Sequence, residues 1–419
     1  MPALAWAMQR AGGEERWMTV EPFRGEQLPD NNDPNDPYAG TGLPELGFRN
    51  YWYPVMAAWR LWRKPKAIKV LGEDIVVFRD GGKLYALSER CPHRGARLSQ
   101  GKCLYPGSGT ISCPYHGWTF SGETGVCVAK LMEGPEASAT RQIAVKSYPV
   151  RELRGAIWVF AGDIEAPRLE DEVPEVLSAI EDWHSFSTWR TYRCNWRIMK
   201  DNLCHDMHAP FVHRNSPELM FQPVFPFASR LAAFPLDDDS GIGYVAKDGR
   251  PSADYPGLGT FPPKNETWYR FLKPTGRGKE IDAKAQAVTK YGVRYRQSSL
   301  MPGATFIGRP NGNYFALRWV TPIDADSNFY YSWSLFRRQG WWRTLKERLF
   351  WLFFVSWAHD WLFSDQDKRL LEKVIPGKET YSRTDAGVIA WRRYAVDHAR
   401  RRAAAGARAA ESLRPPAAE

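Results

Sequence analysis

Cysteine is scarce in this chain of 419 residues, with six in all and no spacing that suggests a disulfide framework. Long apolar runs are missing as well. The longest, Leu349 to Ala358, is too short to span a bilayer and is expected to form a buried helix, an interfacial membrane helix being the alternative. The stretch from Met1 to Arg16 has no continuous apolar segment of the kind a secretory signal needs, so a reducing cytoplasm is the expected compartment. No internal repeat and no recognised nucleic-acid-binding motif is present. The formal net charge of +10 and pI near 9.2 would nevertheless suit an acidic partner. Part of that excess sits in Arg392, Arg393, Arg400, Arg401, Arg402 and Arg408, read as a solvated helix end and a frayed tail. Neither nucleic acid nor membrane contact is expected, and an acidic electron-transfer protein is the more interesting partner.

Aromatic residues are abundant: 14% of the chain, with 19 Trp, in an apolar content of 43%. That composition belongs to a folded enzyme, and the length suggests two domains. Residues 1–46, rich in Gly, Pro, Asp and Asn, read as a loosely ordered extension. Short strand candidates follow at Ala67–Leu71, Ile75–Arg79, Leu84–Ser88, Trp118–Phe120 and Ile157–Phe160. Turn signals such as Asp80-Gly81-Gly82 separate them, which predicts a small antiparallel β domain over 47–165. An acidic connection at 163–185 leads into a second domain, 166–400. Its expected elements are a strand at Ser187–Arg193, a helix from Trp196 to His208 and an irregular stretch over 214–265 that covers a site. Strands at Thr267–Leu272, Tyr291–Gln297, Phe315–Val320 and Phe329–Phe336 come next, then a long helix from Trp341 to Glu372. The aromatics of 219–236 and 303–319 are pocket candidates by position. Residues 401–419 read as a basic, disordered tail.

Within the first domain stand Cys91-Pro92-His93 and, after nineteen residues, Cys113-Pro114-Tyr115-His116. Each half offers one thiolate and one imidazole, on loops between strands that can converge from two sides. A [2Fe–2S] cluster with two Cys on one iron and two His on the other needs this set. Zinc accepts the same ligand types, but zinc sites usually group Cys with Cys and His with His, whereas here the pairs are mixed. The flanks, Cys91-Pro92-His93-Arg94-Gly95 and Cys113-Pro114-Tyr115-His116-Gly117-Trp118, also match the Rieske cluster motif.

The other informative stretch runs from Asn195 to His213. His208 and His213 can supply two facial ligands to a non-heme Fe(II), provided a carboxylate comes from elsewhere. Five residues apart, they would point some 140° from each other on a regular helix. Pro210 lies between them and is expected to bend or end the helix, turning His213 back toward His208.

With these motifs the chain resembles the catalytic α subunit of Rieske non-heme iron oxygenases over roughly residues 47–400. The flanks Leu46–Met56 and Asp385–Arg393 resemble the carbazole dioxygenase subgroup, and pheophorbide a oxygenase-like and O-demethylase members share the DN-L…H-x4-H pattern. The resemblance implies an α+β architecture: a Rieske [2Fe–2S] domain, then a helix-grip (START-like) antiparallel-sheet catalytic domain with a long C-terminal helix. It makes Cys91, His93, Cys113 and His116 the cluster ligands. It makes His208, His213 and Asp367 the ligands of a mononuclear Fe2+, with Asp365 and Asp360 as fallbacks for the third. Asn202 occupies a family position, but the usual bridging carboxylate falls on His205, with Asp206 next to it. Since neutral imidazole cannot accept two hydrogen bonds, either Asp206 reaches in, His205 bridges with another proton arrangement, or the electron path is impaired. The implied activity is that of a terminal oxygenase that hydroxylates an aromatic or heterocyclic ring with dioxygen, or alternatively of a monooxygenase of the same family. A cluster-only electron carrier is the reading from a different class. Implied partners are a ferredoxin or an NAD(P)H-dependent reductase and further copies of the chain, most simply in a trimer.

Overall fold

The computed structural model describes residues 5–11, 14–20, 38, 41–137, 142–204, 207–214, 216–217, 223–224, 230–236, 241–247, 252–261, 273–274, 297–308, 314–377 and 379–400. The chain forms two compact units, one of residues 47–173 with the segment from Ala399 onward, the other of residues 174–398 with the chain up to Leu46.

The 47–173 unit is built from small antiparallel sheets. Lys66–Val70, Glu73–Asp80 and Lys83–Ser88 form one meander; Thr110–Ser112, Trp118–Ser121 and Cys127–Lys130 form another. Tyr51–Ala57, Val150–Leu153 and Ala156–Ala161 make a third sheet. In the first meander Asp80 pairs with Lys83 across Gly81 and Gly82, both at positive φ (+55° and +81°). A two-residue hairpin whose twist matches its strands needs that backbone, which glycine adopts without steric cost. Val76, Phe78, Leu87, Leu98, Ile111 and Phe120 pack into one core, and Cys91 and Cys113 belong to it.

In the other unit, the described strands form a nine-stranded sheet. From one edge it runs Trp183–Tyr192, Ser327–Arg337, Tyr314–Asp324, Ala304–Gly308, Gln297–Leu300, Gly241–Lys247, Arg230–Pro235, Ala5–Ala11 and Glu14–Val20. All neighbours are antiparallel except Ala5–Ala11, which lies parallel to Arg230–Pro235. The two N-terminal strands fall where the composition suggests a loose extension. Large aromatics fill the core, among them Trp183, Trp319, Trp333 and Trp391. Of the pocket candidates, Phe234, Phe306, Phe315 and Trp319 are buried, while residues 219–222, 225–229 and 309–313 lie outside the described residues.

Four local expectations differ from the structure. The stretch 214–265 is not one irregular loop, because Arg230–Pro235 and Gly241–Lys247 are paired strands of the main sheet. The helix that starts at Trp196 ends at Asn202 rather than His208, and a separate four-residue helix spans Ala209–Val212. The C-terminal helix keeps its length but is α-helical only over Trp341–Phe350 and Ser364–Leu371, with π-helical turns at Trp351–Val355 and Ala358–Phe363. Within the apolar run expected to be buried there, only Val355 and Ala358 are; Leu349, Phe350, Leu352, Phe353 and Trp357 are exposed.

Arg392, taken for part of a solvated helix end, is buried instead. Its guanidinium donates to Asp201 and Glu379 and to the Tyr381 hydroxyl, pinning the Ala386–Asp397 helix to the Trp196–Asn202 helix. Arg400 bonds Glu172 and the carbonyl of Asn50, and Arg401, Arg402 and Arg408 lie outside the described residues. So do the strand expected at Thr267–Leu272 and most of Tyr291–Gln297.

Candidate redox and metal sites

The two Cys-His loops are built by the same device. In each, the N–H of a glycine four residues on donates to the cysteine carbonyl: Gly95 to Cys91 at 2.9 Å and Gly117 to Cys113 at 3.1 Å. Each turn is closed again by a cysteine N–H, from Cys91 to the Ala96 carbonyl and from Cys113 to the Trp118 carbonyl. Both glycines have positive φ (+73° and +66°), and a Cβ at Gly117 would come within 3.0 Å of the Leu131 side chain. The turns place Cys91 and Cys113 in the core and the imidazoles further out. His93 and His116 have ring centroids 4.6 Å apart, and Trp118 stacks on His93 at 4.5 Å. Trp118 in turn lies under the Lys130 ammonium.

Burial pushes the Cys91 thiol up to about 11, against opposing hydrogen bonds from the His93 and Arg94 amides, with the neighbouring Cys113 adding to the rise. Such a thiol becomes a thiolate when a metal takes its proton's place. Desolvation, and then His93 and Arg94, lower His116, whose Nδ1 is buried without a hydrogen-bond partner. These four side chains fit a [2Fe–2S] cluster: buried sulfurs on one side, paired imidazoles with a free nitrogen on the other. They do not converge on a single ion. Among the described residues, the group of three or more donors whose ligand atoms all lie within 4.8 Å of one another is His208, His213 and Asp367. A tetrahedral zinc on the four Cys-His side chains would require such convergence.

His208 and His213 bracket the short Ala209–Val212 helix as its N-terminal and C-terminal caps. Pro210 does not break a longer helix there. It stands in the first turn of the short one, where its missing N–H costs nothing. The rings therefore approach, 5.3 Å between centroids, because both residues sit at the ends of a single turn. Asp367 comes from the C-terminal helix. Its Oδ1 lies 3.2 Å from His213 Nε2 and 3.5 Å from His208 Nε2. Burial alone would raise its carboxyl; when His208 and His213 are protonated, their positive charge beside it brings it below the usual carboxylate range.

His213 Nε2 and Asp367 Oδ1 are both buried and make no hydrogen bond, so two donor atoms face each other without a partner. Two imidazoles and one carboxylate with unsatisfied donor atoms suit a divalent iron with open positions. The fallback Asp365 pairs with Arg369 and Arg190, and the side chain of Asp360 lies outside the described residues.

Three further residues shape these sites and are not legible from motif spacing. Gln366 Oε1 lies 3.0 Å from His213 Nδ1, so it accepts that N–H and leaves Nε2 with a lone pair for a metal. Phe363 stacks on the His213 ring, 3.4 Å between centroids. Phe363, the last residue of the π-helical turn, shares one helix face with Gln366 and Asp367 at spacings of three and four. Lys200, buried in the Trp196–Asn202 helix, donates to Ser299, the Ala304 carbonyl and Thr305, fastening that helix to the sheet. Asn202 ends the same helix, its Nδ2 buried without a hydrogen-bond partner. His205 and Asp206 lie outside the described residues.

The family model for the Rieske [2Fe-2S] domain matches residues 51–149, the part that carries both Cys-His loops. The chain belongs to the Rieske non-heme iron oxygenases, oxidoreductases with a Rieske cluster and a mononuclear iron. It is 36% identical over 299 residues to the terminal oxygenase component of carbazole 1,9a-dioxygenase from Metapseudomonas resinovorans, covering 68% of this chain and 72% of that protein. The counterpart from a Sphingomonas species is 32% identical over 293 residues, with the same coverage. A solved oxygenase–ferredoxin complex of carbazole 1,9a-dioxygenase has a TM-score of 0.68 at 25% identity, over 87% of this chain and 94% of that one. The α+β architecture expected from the sequence is thus that of solved Rieske oxygenases.

Proposed function

We propose that the chain is the terminal component of a ring-hydroxylating dioxygenase. In this reading Cys91, His93, Cys113 and His116 hold the cluster, while His208, His213 and Asp367 hold the iron. The observation that carries it is the buried convergence of His208, His213 and Asp367 in a chain that also bears a Rieske domain. When bound, the cluster supplies single electrons and the iron supplies a place to reduce dioxygen.

The chain's own residues do the rest. Gln366 keeps the proton of His213 on Nδ1. Phe363 and the burial of His213 keep water from that ring's faces. His93, exposed and backed by Trp118, offers the accessible edge of the cluster loops to a donor protein. A ferredoxin is the donor we propose, since the solved relatives include oxygenase–ferredoxin complexes. We further propose a homotrimer in which His116 or His93 passes electrons to the iron of a neighbouring copy, a cytoplasmic setting, and a role in aromatic hydrocarbon catabolism. Asn202, with His205 or Asp206, would serve that electron path.

The substrate class is a small aromatic or heterocyclic compound. A monooxygenase outcome is the second reading, because a 4beta-methylsterol monooxygenase from Methylococcus capsulatus is 35% identical over 182 residues. The test is an aerobic screen of aromatic and heterocyclic compounds with a ferredoxin and reductase under labelled dioxygen. Substrate-dependent oxygen uptake with two labelled oxygens in one product is expected. One labelled oxygen selects the monooxygenase, and label-free products with any substrate contradict both.

A further inference from the structure

The helix that leads into Asp367 is apolar on two opposite faces. The inward face is anchored to the Trp183–Tyr192 strand: Glu347 lies 3.2 Å from His184 Nε2, Trp351 stacks on Phe186 at 4.8 Å, and Val355 and Ala358 are buried. The outward face carries Trp342, Leu345, Leu349, Leu352, Phe353 and Trp357, all exposed, with Trp342 at 62% and Phe353 at 69%. Such a contiguous apolar stripe on a soluble surface marks a place of contact.

What surrounds the stripe points to the partner. From Arg337 to Ala358 the cations are Arg337, Arg338, Arg343, Lys346 and Arg348, all exposed. Glu347 is the one acid in that stretch and pairs with both His184 and Arg343, so Lys346 and Arg348 are the cations that remain on the helix; Asp360 follows beyond it. Two copies joined face to face through this helix would bring like charges together, and the head-to-tail contacts of a trimer are tested through the oligomeric state of the variants. Trp342 and Trp357 stand toward the ends of the stripe, and an indole with an apolar body and a polar N–H suits the boundary between lipid and water. No helix among the described residues is long and apolar enough to cross a membrane.

We propose that the Trp341–Phe363 helical stretch docks, lying in the plane of the surface, on an anionic lipid bilayer. The apolar stripe enters the headgroup and acyl boundary, and the basic side chains meet lipid phosphates. The same helical stretch continues to Phe363, Gln366 and Asp367.

Flotation of the full chain tests this, with vesicles of phosphatidylcholine alone or of phosphatidylcholine mixed with phosphatidylglycerol. The wild type is expected to float with the anionic vesicles and about tenfold less with the neutral ones. Lys346→Glu with Arg348→Glu, and separately Leu349→Gln with Phe353→Gln, are each expected to lower flotation about tenfold or more. Far-UV circular dichroism and a wild-type thermal unfolding transition serve as the check that each variant is folded, since the helix and the cluster loops belong to different units. Flotation equal to wild type in both folded variants, or no flotation with anionic vesicles, overturns the proposal. So does a wild-type oligomer that falls apart in the Leu349→Gln, Phe353→Gln variant, which would assign the face to a second copy of the chain.

Discussion

Asp367 shows how a single side chain acquires its role from its surroundings. A buried carboxylate is costly in a low-dielectric interior, and this one faces two imidazole nitrogens within 3.5 Å, an arrangement that a cation bound between them would stabilise. Gln366 adds the next layer by accepting the Nδ1 proton of His213, fixing the tautomer that turns Nε2 toward the carboxylate. Replacing Gln366 with Leu should lower divalent-metal affinity at this site about 10–100-fold, while Gln366→Glu, which keeps an acceptor, should stay near wild type. Titration of the iron-depleted site with Co(II), at unchanged cluster absorbance, measures it. The three proposed ligands could be read in the sequence, as two His at a family spacing and an Asp five residues before Glu372. Gln366 could not, because glutamine beside an aspartate on an amphipathic helix is ordinary. Its meaning appears only when a segment about 150 residues away folds against it.

At the scale of elements, the cluster loops depend on the meander beneath them, and Glu73 fastens that meander to later segments. Its carboxylate accepts from Lys146 and the Tyr148 hydroxyl and pairs with Arg49. Burial opposes ionisation, but those three partners bring its carboxyl down to about 2 from an ordinary 4.5. With the folded value depressed, the unfolded chain binds the extra proton. The stabilisation is therefore complete above pH 4.5 and is lost as the pH falls toward 2. Glu73→Gln should accordingly be less stable than wild type at neutral pH, and the gap should narrow from about pH 4.5 and close near pH 2. Urea midpoints across that range check it; a constant gap would assign the loss to packing.

The strands of this unit were legible because apolar alternation and paired glycines mark them, as at Asp80-Gly81-Gly82. The Trp196 helix ends at Asn202, short of the expected His208, and nothing in the sequence of residues 203–208 announces that end. Two expectations failed together at the C-terminal helix. Apolar content predicts burial only where another element covers it, and Leu349, Phe353 and Trp357 have none among the described residues of this chain.

At the scale of the molecule, a small β unit carries one donor set and a sheet-and-helix unit carries the other. In the proposed reading the two sets divide the work, the first holding an electron and the second a metal open to dioxygen. Arg392 illustrates how the second unit is closed. A residue that charge patterning places on the surface is buried between Asp201 and Glu379, which tie the last helix to the one preceding the His pair. Composition could not reveal this, since one of the acids that neutralise Arg392, Asp201, lies far off in sequence and the other, Glu379, lies outside any helix or strand. The central claim is that electrons stored at the Cys-His loops are used at the His208, His213 and Asp367 site. Single turnover of chemically reduced protein with dioxygen and a substrate from the screen tests it most directly, comparing wild type with Asp367→Ala. The account predicts about three irons per chain and product formation for wild type. For Asp367→Ala it predicts about two irons, an intact reducible cluster and no product. Product formation by Asp367→Ala at the wild-type level would contradict it.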